Sequence, residues 1–128
     1  MLAMRGQRLF VRPIEPGDAD TVRGFLAVHA EQNDVPACGL IGKLVGELVA
    51  VMAIDLGESN GVRIRDLIVA PELRRKRIGR VMMNEVESLA AKMERDWLIA
   101  DAAGNAREFL RRVGFIDEGT RMVRRVAR

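Results

Sequence analysis

The first feature of this sequence that suggests chemistry is a run of four consecutive basic residues: Arg74, Arg75, Lys76 and Arg77. The apolar segment 67–70 precedes this run, and Pro71 ends that segment because proline has no N–H for a sheet ladder. Apolar residues then recur at helical spacing from Ile78 onward. A basic loop between a strand and a helix is suited to anion binding, since the N–H groups of the first helical turn lack internal partners and carry the positive end of the helix dipole.

Two further residues, Gly79 and Arg80, fall in the first turn of this predicted helix. A glycine there has no Cβ, and we expect its absence to let a ligand approach the backbone closely. The predicted chemistry is the binding of a pyrophosphate by main-chain amides, with arginine side chains around it. The alternative is a solvated basic loop before an ordinary surface helix, because a single glycine motif has low specificity.

Composition narrows the class of protein. The chain has 128 residues, of which 48% are hydrophobic, and these values predict one globular domain over residues 1–128. No apolar run approaches the roughly 18 residues of a membrane-spanning helix. Cys38 is the single cysteine, so no internal disulfide can form and a cytoplasmic location is expected. The net charge is only +3, which disfavours a nucleic-acid partner.

The hydrophobic pattern predicts a mixed α/β (α+β) fold. The predicted elements are an edge strand at 8–13, a helix that starts after Asp18 and ends near 33–36, strands at 39–45, 47–55 and 62–70, a helix from 78 to about 94, a strand at 97–102, a short helix at 106–113 and a terminal strand or hairpin at 115–128. Strands 62–70 and 97–102 flank a helix, so this βαβ unit should be parallel and right-handed. Ligands bind beyond the carboxyl ends of such strands, where the basic loop lies.

The segment from Pro71 to Gly79 resembles the acyl-CoA signature of the GNAT superfamily of N-acyltransferases. That signature is a strand ending in Val-x-Pro, followed by Gln/Arg-x-x-Gly-x-Gly/Ala at the start of a long helix. The matching residues are Val69, Pro71, Arg74 and Gly79. Arg77 stands where the first glycine is usual, and Arg75 stands where a glycine is common.

The segment 105–115 resembles the second signature of the same family, in which an Asn precedes an Ala, an aromatic-Tyr pair and a Gly-Phe. The residues that match this spacing are Ala106, Phe109, Gly114 and Phe115. Leu110 occupies the position of the family's tyrosine, which in many members protonates the leaving thiolate, and the chain has no tyrosine at all. Counted from the same Gly-Phe, the CoA-contacting Asn position is Ala103, and Asn105 lies two residues later.

The resemblance implies a GNAT-like fold, with a mostly antiparallel sheet, one parallel βαβ unit and about three helices. It implies an acetyl-CoA-dependent N-acetyltransferase, in which a primary amine of a small molecule or protein attacks the thioester directly. The family's strand before the loop bulges, and its exposed backbone contacts pantetheine and polarises the thioester carbonyl. The implied cofactor-binding residues are Leu67, Ile68 and Val69 on that strand, then Arg74, Arg75, Lys76, Arg77, Ile78, Gly79 and Arg80 around the pyrophosphate and 3′-phosphate, and Asn105.

A general base is also required, because the attacking amine must lose a proton. We expect Glu47 or Asp66 to act through a water molecule, although either could be a solvated or salt-bridged carboxylate. His29 and Glu31 lie near the predicted acceptor groove, and His29 is more typical of a core or boundary histidine. Because Leu110 cannot donate a proton, a slow enzyme is expected.

The alternative function is a catalytically impaired acyl-CoA-binding regulatory module, in which the phosphate loop works but no transfer occurs. A third class, a nucleic-acid binder, depends on the basic loop and on the C-terminal arginines, and the scarcity of aromatic residues disfavours it. A homodimer could form through the terminal strand at 115–126, and the acceptor amine is not specified by the sequence.

Overall fold

The computed structural model describes residues 8–73, 77–101 and 106–127, and the structural statements below concern these ranges. The strands are β1 (Leu9–Pro13), β2 (Gly39–Leu44), β3 (Glu47–Asp55), β4 (Gly61–Val69), β5 (Trp97–Asp101), β6 (Ile116–Glu118) and β7 (Arg121–Arg125). The α-helices are α1 (Ala19–His29), α2 (Ile78–Lys92) and α3 (Ala106–Arg112). Short 3-10 turns at Pro16–Asp18 and Pro71–Leu73 precede α1 and follow β4.

The strands form one mixed sheet in the order β1-β2-β3-β4-β5-β7-β6. All neighbouring strands are antiparallel except β4 and β5, which are parallel and connected through α2. This arrangement confirms the predicted fold class, including the single βαβ unit. β3 is buried on both faces, since the consecutive residues Val49, Ala50, Val51 and Met52 are all buried, and helices therefore cover the sheet on two sides.

The first helix ends earlier than predicted. α1 stops at His29 rather than near residues 33–36 because Glu31 adopts a left-handed conformation with φ of 52°. The C-terminal hairpin forms as predicted, but its outer strand β6 is short and fully exposed, while β7 lies inside the sheet between β5 and β6. No helix within the described ranges is long and apolar enough to cross a membrane.

Candidate active site

The central feature of the site is the separation of two parallel strands. β4 pairs with β5 only from Gly61 to Ile64, opposite Trp97 to Ala100. Beyond Ile64, β4 continues to Val69 with pairing to β3 alone, while the last residue of β5, Asp101, pairs with β7. Over residues 65–69, the backbone groups of β4 that point away from β3, which belong to alternate residues, therefore have no partner in β5, and one N–H of this segment, that of Leu67, donates to Oδ1 of Asp66.

A β-bulge explains this separation. Ala53 of β3 pairs with Asp66 and the next residue, Ile54, pairs with Ile64, so that Arg65 is an extra residue in β4. A bulge bends its strand and increases the local twist, which directs the rest of β4 away from β5. The bulge that the family resemblance implied before the basic loop is therefore present.

A cavity of about 1200 Å³ occupies the space between the separated strands, and we call it the inter-strand cavity. It is lined by three predicted cofactor-binding residues on β4 and three at the start of α2: Leu67, Ile68, Val69, Arg77, Gly79 and Arg80. Ile78, also predicted, is fully buried in the core and does not line the cavity. The predictions for Arg74, Arg75, Lys76 and Asn105, and the position of Ala103, lie outside the described residues.

The start of α2 is open to a ligand. Arg77 is the N-cap residue, and its carbonyl accepts the Val81 N–H at 3.1 Å. The Arg77 side chain makes no capping hydrogen bond, and the first turn contains no acidic residue. The first-turn N–H groups beside the cavity, including those of Gly79 and Arg80, thus have neither a capping side chain from Arg77 nor a local carboxylate to satisfy them.

Three arginines that line the inter-strand cavity have no ionic or hydrogen-bond partner among the residues that the structure describes: Arg77, Arg80 and Arg112. The cavity also contains Asp101, but this carboxylate is bound by Arg63 at 2.6 Å. Arg63 binds Glu58 as well, and the Glu58 hydrogen bond is the main cause that raises the pKa of the Arg63 guanidinium. Asp66 is a further carboxylate of the cavity and has no cationic partner among the described residues, so the three arginines leave the lining with an excess of positive charge, which is the electrostatic requirement for binding phosphate.

Gly79 is in close contact with α3. A Cβ built on Gly79 would lie 2.9 Å from Cζ of Phe109 and 3.1 Å from its Cε1. The sequence suggested that this glycine leaves room for a ligand, whereas the structure shows that the missing Cβ first accommodates the Phe109 ring. Phe109 lines the same cavity, so the glycine also determines how closely α3 approaches the start of α2.

The Gly-Phe pair of the second signature ends α3. Gly114 has a left-handed φ of 96°, its N–H donates to Arg111, and the Phe115 N–H donates to the carbonyl of Leu110 at 2.9 Å. These two hydrogen bonds form a Schellman motif, which explains why glycine is found here. Leu110 is 4% exposed and its side chain contributes to the cavity wall, at the position where the family resemblance implies a tyrosine.

A second cavity of about 700 Å³ lies beside α1 and β3, and we call it the side cavity. Its wall combines apolar residues, among them Leu26, Val51 and Leu56, with the carboxylates of Asp34 and Asp55. It shares Arg65, Asp66 and Ile68 with the inter-strand cavity. The bulge region of β4 is therefore the wall between two spaces.

Of the two predicted general bases, only Asp66 lines these cavities. Its Oδ1 accepts the Leu67 N–H at 3.1 Å, and its Oδ2 accepts a hydrogen bond from Gln32 Nε2 at 3.4 Å. Glu47 is exposed at the start of β3 and lines neither cavity. Asp66 pairs with Ala53, so Glu47 is separated from it by roughly 20 Å along the strand. His29 lines the inter-strand cavity, with its ring 4.6 Å from that of Phe25.

The fold and the site together define an acyltransferase architecture, and comparison with known proteins agrees. The acetyltransferase (GNAT) family model matches residues 7–115. The chain belongs to this family, whose general reaction is acetyl-CoA-dependent N-acetyl transfer. A search of the curated proteins found no match.

Solved structures with the same fold include three that cover 94% of this chain. N-acetylglutamate synthase from Neisseria gonorrhoeae, crystallised with coenzyme A and L-arginine, has a TM-score of 0.79 and 17% identity, over 34% of its own chain. The ribosomal-protein-S18-alanine N-acetyltransferase from Escherichia coli has a TM-score of 0.77 and 11% identity, over 96% of its chain. A GNAT-family acetyltransferase from Staphylococcus aureus Mu50 has a TM-score of 0.75 and 9% identity, over 100% of its chain.

Proposed function

We propose that this protein is an acetyl-CoA-dependent N-acetyltransferase that acetylates a primary amine. The observation that carries the proposal is the coincidence of three features at one cavity. Backbone groups of β4 without a partner in β5 line it, the start of α2 without a side-chain cap borders it, and the guanidinium groups of Arg77, Arg80 and Arg112, which have no partner among the described residues, belong to its lining. A ligand with an amide-containing arm and several phosphates is complementary to these features.

The residues of the inter-strand cavity fit acetyl-CoA as the acyl donor. In this proposal the backbone groups of Leu67, Ile68 and Val69 that do not pair with β3 hold the pantetheine arm, and an N–H of this segment other than that of Leu67, which donates to Asp66, polarises the thioester carbonyl. The amides at the start of α2 and the unpaired arginines hold the phosphates. Bound acetyl-CoA would supply an activated acetyl group as a thioester.

We propose that the acceptor amine enters from the side cavity. The two cavities share the bulge region of β4, so an amine in the side cavity would lie across that strand from the acyl donor. The attacking amine must be neutral, and Asp66, which lines both cavities, is the general base that removes its proton through a water molecule. Glu47 is not brought to either cavity and is the weaker of the two predicted bases.

The thiolate leaves without a tyrosine in this proposal, because Leu110 has no proton to give. General acid catalysis is typically worth about 10²–10⁴-fold, so the expected enzyme is slow. The alternative is that the chain binds acyl-CoA as a regulatory module without transferring the acyl group.

The decisive experiment is calorimetric titration of ligand-free protein with acetyl-CoA, CoA and 3′-dephospho-CoA, followed by an acetylation assay over a panel of primary amines. Micromolar binding together with turnover supports the enzyme. Binding without turnover over the whole panel supports the regulatory module. No binding of any CoA compound overturns both functions.

The role of Asp66 is tested with Asp66→Asn, and Glu47→Gln serves as the matched control because it removes one carboxylate outside both cavities. We expect Asp66→Asn to lower kcat by about 10²-fold or more while acetyl-CoA binding stays unchanged. Glu47→Gln should have no effect on either quantity. Equal activity of the two variants would exclude Asp66 as the base.

Three predictions about partners and location accompany this proposal. The C-terminal arginines of the described chain have intramolecular partners, with Arg121 bound to Glu118, Arg124 to Glu87, and Arg125 over the Trp97 ring. This engagement supports the prediction that nucleic acid is not the partner. Homodimer formation and a cytoplasmic location stay predictions from the sequence.

A further inference from the structure

The lining of the inter-strand cavity changes from charged to apolar. Arg77 and Arg80 belong to it at the start of α2. A second group of its lining residues is apolar, and each member is no more than 6% exposed: Ile64, Met83, Ala100, Leu110 and Val113. We call this group the apolar end of the cavity. The same five residues belong to the hydrophobic core, so the core itself forms the cavity wall here.

The course of the chain separates the apolar end from the start of α2. Ile64 and Ala100 are the last paired residues of β4 and β5, so they lie where the two strands begin to separate. Val69, which ends β4 before the chain continues to α2, is five residues further on, or roughly 16 Å along an extended strand. The chain must return along α2 from the end of β4 to the start of β5. Met83, in the second turn of α2, therefore lies in the direction of Ile64.

This order of residues determines where the acyl group of a bound thioester would lie. In the proposed function the phosphates bind at the start of α2, and the pantetheine arm lies along residues 67–69. The acyl group is attached to the far end of that arm, so it would face the apolar end. An acetyl group would place one methyl group there, whereas a longer chain could bury several methylene groups against apolar side chains.

Two residues make the apolar end suited to a hydrocarbon chain. Leu110 is buried at the position where the family resemblance implies a tyrosine. A tyrosine would place a hydroxyl group in this wall, and a buried hydroxyl group requires a hydrogen-bond partner that an alkyl chain cannot provide. Ala100 has a small side chain, which leaves space at the point where the strands separate.

We propose that the apolar end is a binding site for acyl chains longer than acetyl, such as butanoyl and hexanoyl, so that the protein binds these CoA thioesters more tightly than acetyl-CoA. This inference rests on the proposed function, since it requires a CoA thioester in the inter-strand cavity. It goes beyond that function because it assigns the chain length of the acyl donor to particular side chains.

The experiment is calorimetric titration of ligand-free protein with CoA, acetyl-CoA, butanoyl-CoA and hexanoyl-CoA. Each methylene group that is fully buried should strengthen binding by about fourfold. Butanoyl-CoA has two more methylene groups than acetyl-CoA, so we expect it to bind about tenfold more tightly.

Two substitutions change the size of the apolar end in opposite directions. Ala100→Val narrows it, and should reduce the advantage of butanoyl-CoA over acetyl-CoA to about threefold or less. Leu110→Ala enlarges it, and should raise the affinity for hexanoyl-CoA relative to acetyl-CoA by about tenfold. Both variants should bind CoA itself, which has no acyl group, as the parent does. Either variant alone tests the site if the other does not fold.

Val86→Ala is the matched control. Val86 is fully buried on α2 but does not line the cavity, so its truncation should lower stability without changing the order of affinities. If this control changed the affinity ratios as much as Ala100→Val does, general loosening of the core would explain the effect and the inference would be wrong.

The outcomes separate this inference from the proposed function. If the parent binds CoA and acetyl-CoA but binds neither longer thioester more tightly, the inference is wrong while the proposed function stands. A gain in affinity that both cavity variants leave unchanged would show that the chain lies elsewhere, which also overturns the inference. If the parent binds no CoA compound, the proposed function fails, and the inference fails with it.

Discussion

Replacing Gly79 with alanine tests how α2 and α3 are held together beside the inter-strand cavity. The added Cβ would lie 2.9 Å from Cζ of Phe109 and 3.7 Å from Cδ2 of Leu67. Non-bonded carbon atoms prefer separations of about 3.5–4.0 Å, so the Phe109 ring must move by roughly 0.6–1 Å. Phe109 is half-buried against the core, which restricts that movement.

The expected change in the free energy of unfolding follows from two opposing effects. Overpacking at a well-filled contact costs about 1–3 kcal/mol. Glycine-to-alanine exchange in a helix contributes up to about 1 kcal/mol in the stabilising direction. We therefore expect Gly79→Ala to be destabilising by about 1 kcal/mol, with the Phe109 contact accounting for the loss.

A second glycine isolates the contact from the propensity effect. Gly24 lies on the exposed side of α1, and a Cβ there meets no atom within 4 Å. Gly24→Ala should therefore stabilise the protein by about 0.5–1 kcal/mol. Gly79→Ala combined with Phe109→Ala completes the test, because removal of the ring should make the alanine at 79 harmless.

Urea unfolding of the single and double variants measures these differences directly. We expect a coupling free energy of about 1 kcal/mol or more between positions 79 and 109. If Gly79→Ala stabilises the protein as much as Gly24→Ala does, the packing argument is refuted. If this stable variant also bound CoA more weakly, the result would favour the explanation for Gly79 that the sequence suggested, namely that a glycine lets a ligand approach the backbone closely.

Three further predictions follow from the described contacts. Leu110→Tyr should raise kcat by about tenfold or more while CoA binding stays unchanged, and an unchanged kcat would show that the missing proton donor does not limit turnover. Gly39→Ala should lower the free energy of unfolding by about 2–4 kcal/mol, because its Cβ would lie 2.2 Å from the carbonyl oxygen of Met52. If the free energy of unfolding fell by less than about 0.5 kcal/mol, as for a surface substitution, this prediction would be wrong. The Arg12 hydrogen bond holds the pKa of Asp18 well below its usual range, so this carboxylate stabilises the fold above about pH 4 and loses its contribution as the pH falls further. Asp18→Asn should therefore lower stability at pH 7 and flatten the acid limb of a pH-dependent unfolding curve, whereas an unchanged acid limb would mean that Asp18 is not part of acid unfolding.

The strands could be predicted from the sequence because their hydrophobic pattern and turn residues agree. β3 has the predicted bounds, and β4 begins and ends within one residue of its prediction. The end of α1 could not be predicted, because a single left-handed residue, Glu31, stops the helix before the polar segment that looked like its boundary. Such a conformation depends on the packing of the following loop. A glutamate in the sequence does not indicate that its backbone will be left-handed.

The cofactor side of the site was predictable to the extent that it is continuous in sequence. Leu67, Ile68, Val69, Gly79 and Arg80 adjoin one strand-loop-helix segment, and the cavity gathers them. Which of the two carboxylates, Asp66 or Glu47, lines the cavities was not predictable, because it depends on strand register. Asp66 pairs with Ala53, six residues along β3 from Glu47, and this register separates the two carboxylates in space.

Arg112 lines the inter-strand cavity but was not among the predicted residues, and the reason is the arginine content of the chain. A sequence rich in arginine gives no way to distinguish an arginine that binds a ligand from one that results from base composition. The structure distinguishes them by their partners, because most of the described arginines bind a group of the protein itself. The arginines with such a partner are Arg12, Arg23, Arg63, Arg65, Arg95, Arg107, Arg111, Arg121, Arg124 and Arg125.

Few of the described arginines lack a partner among the described residues, and all but one of these line the same cavity. Apart from Arg8, which lies before β1, they are Arg77, Arg80 and Arg112, and all three line the inter-strand cavity. Arg112 is contributed by α3, far from the basic loop in sequence, so the gathering cannot result from a local charge run. Like charges repel when they are brought together, and a fold that leaves them unpaired at one place is stabilised when an anion binds there.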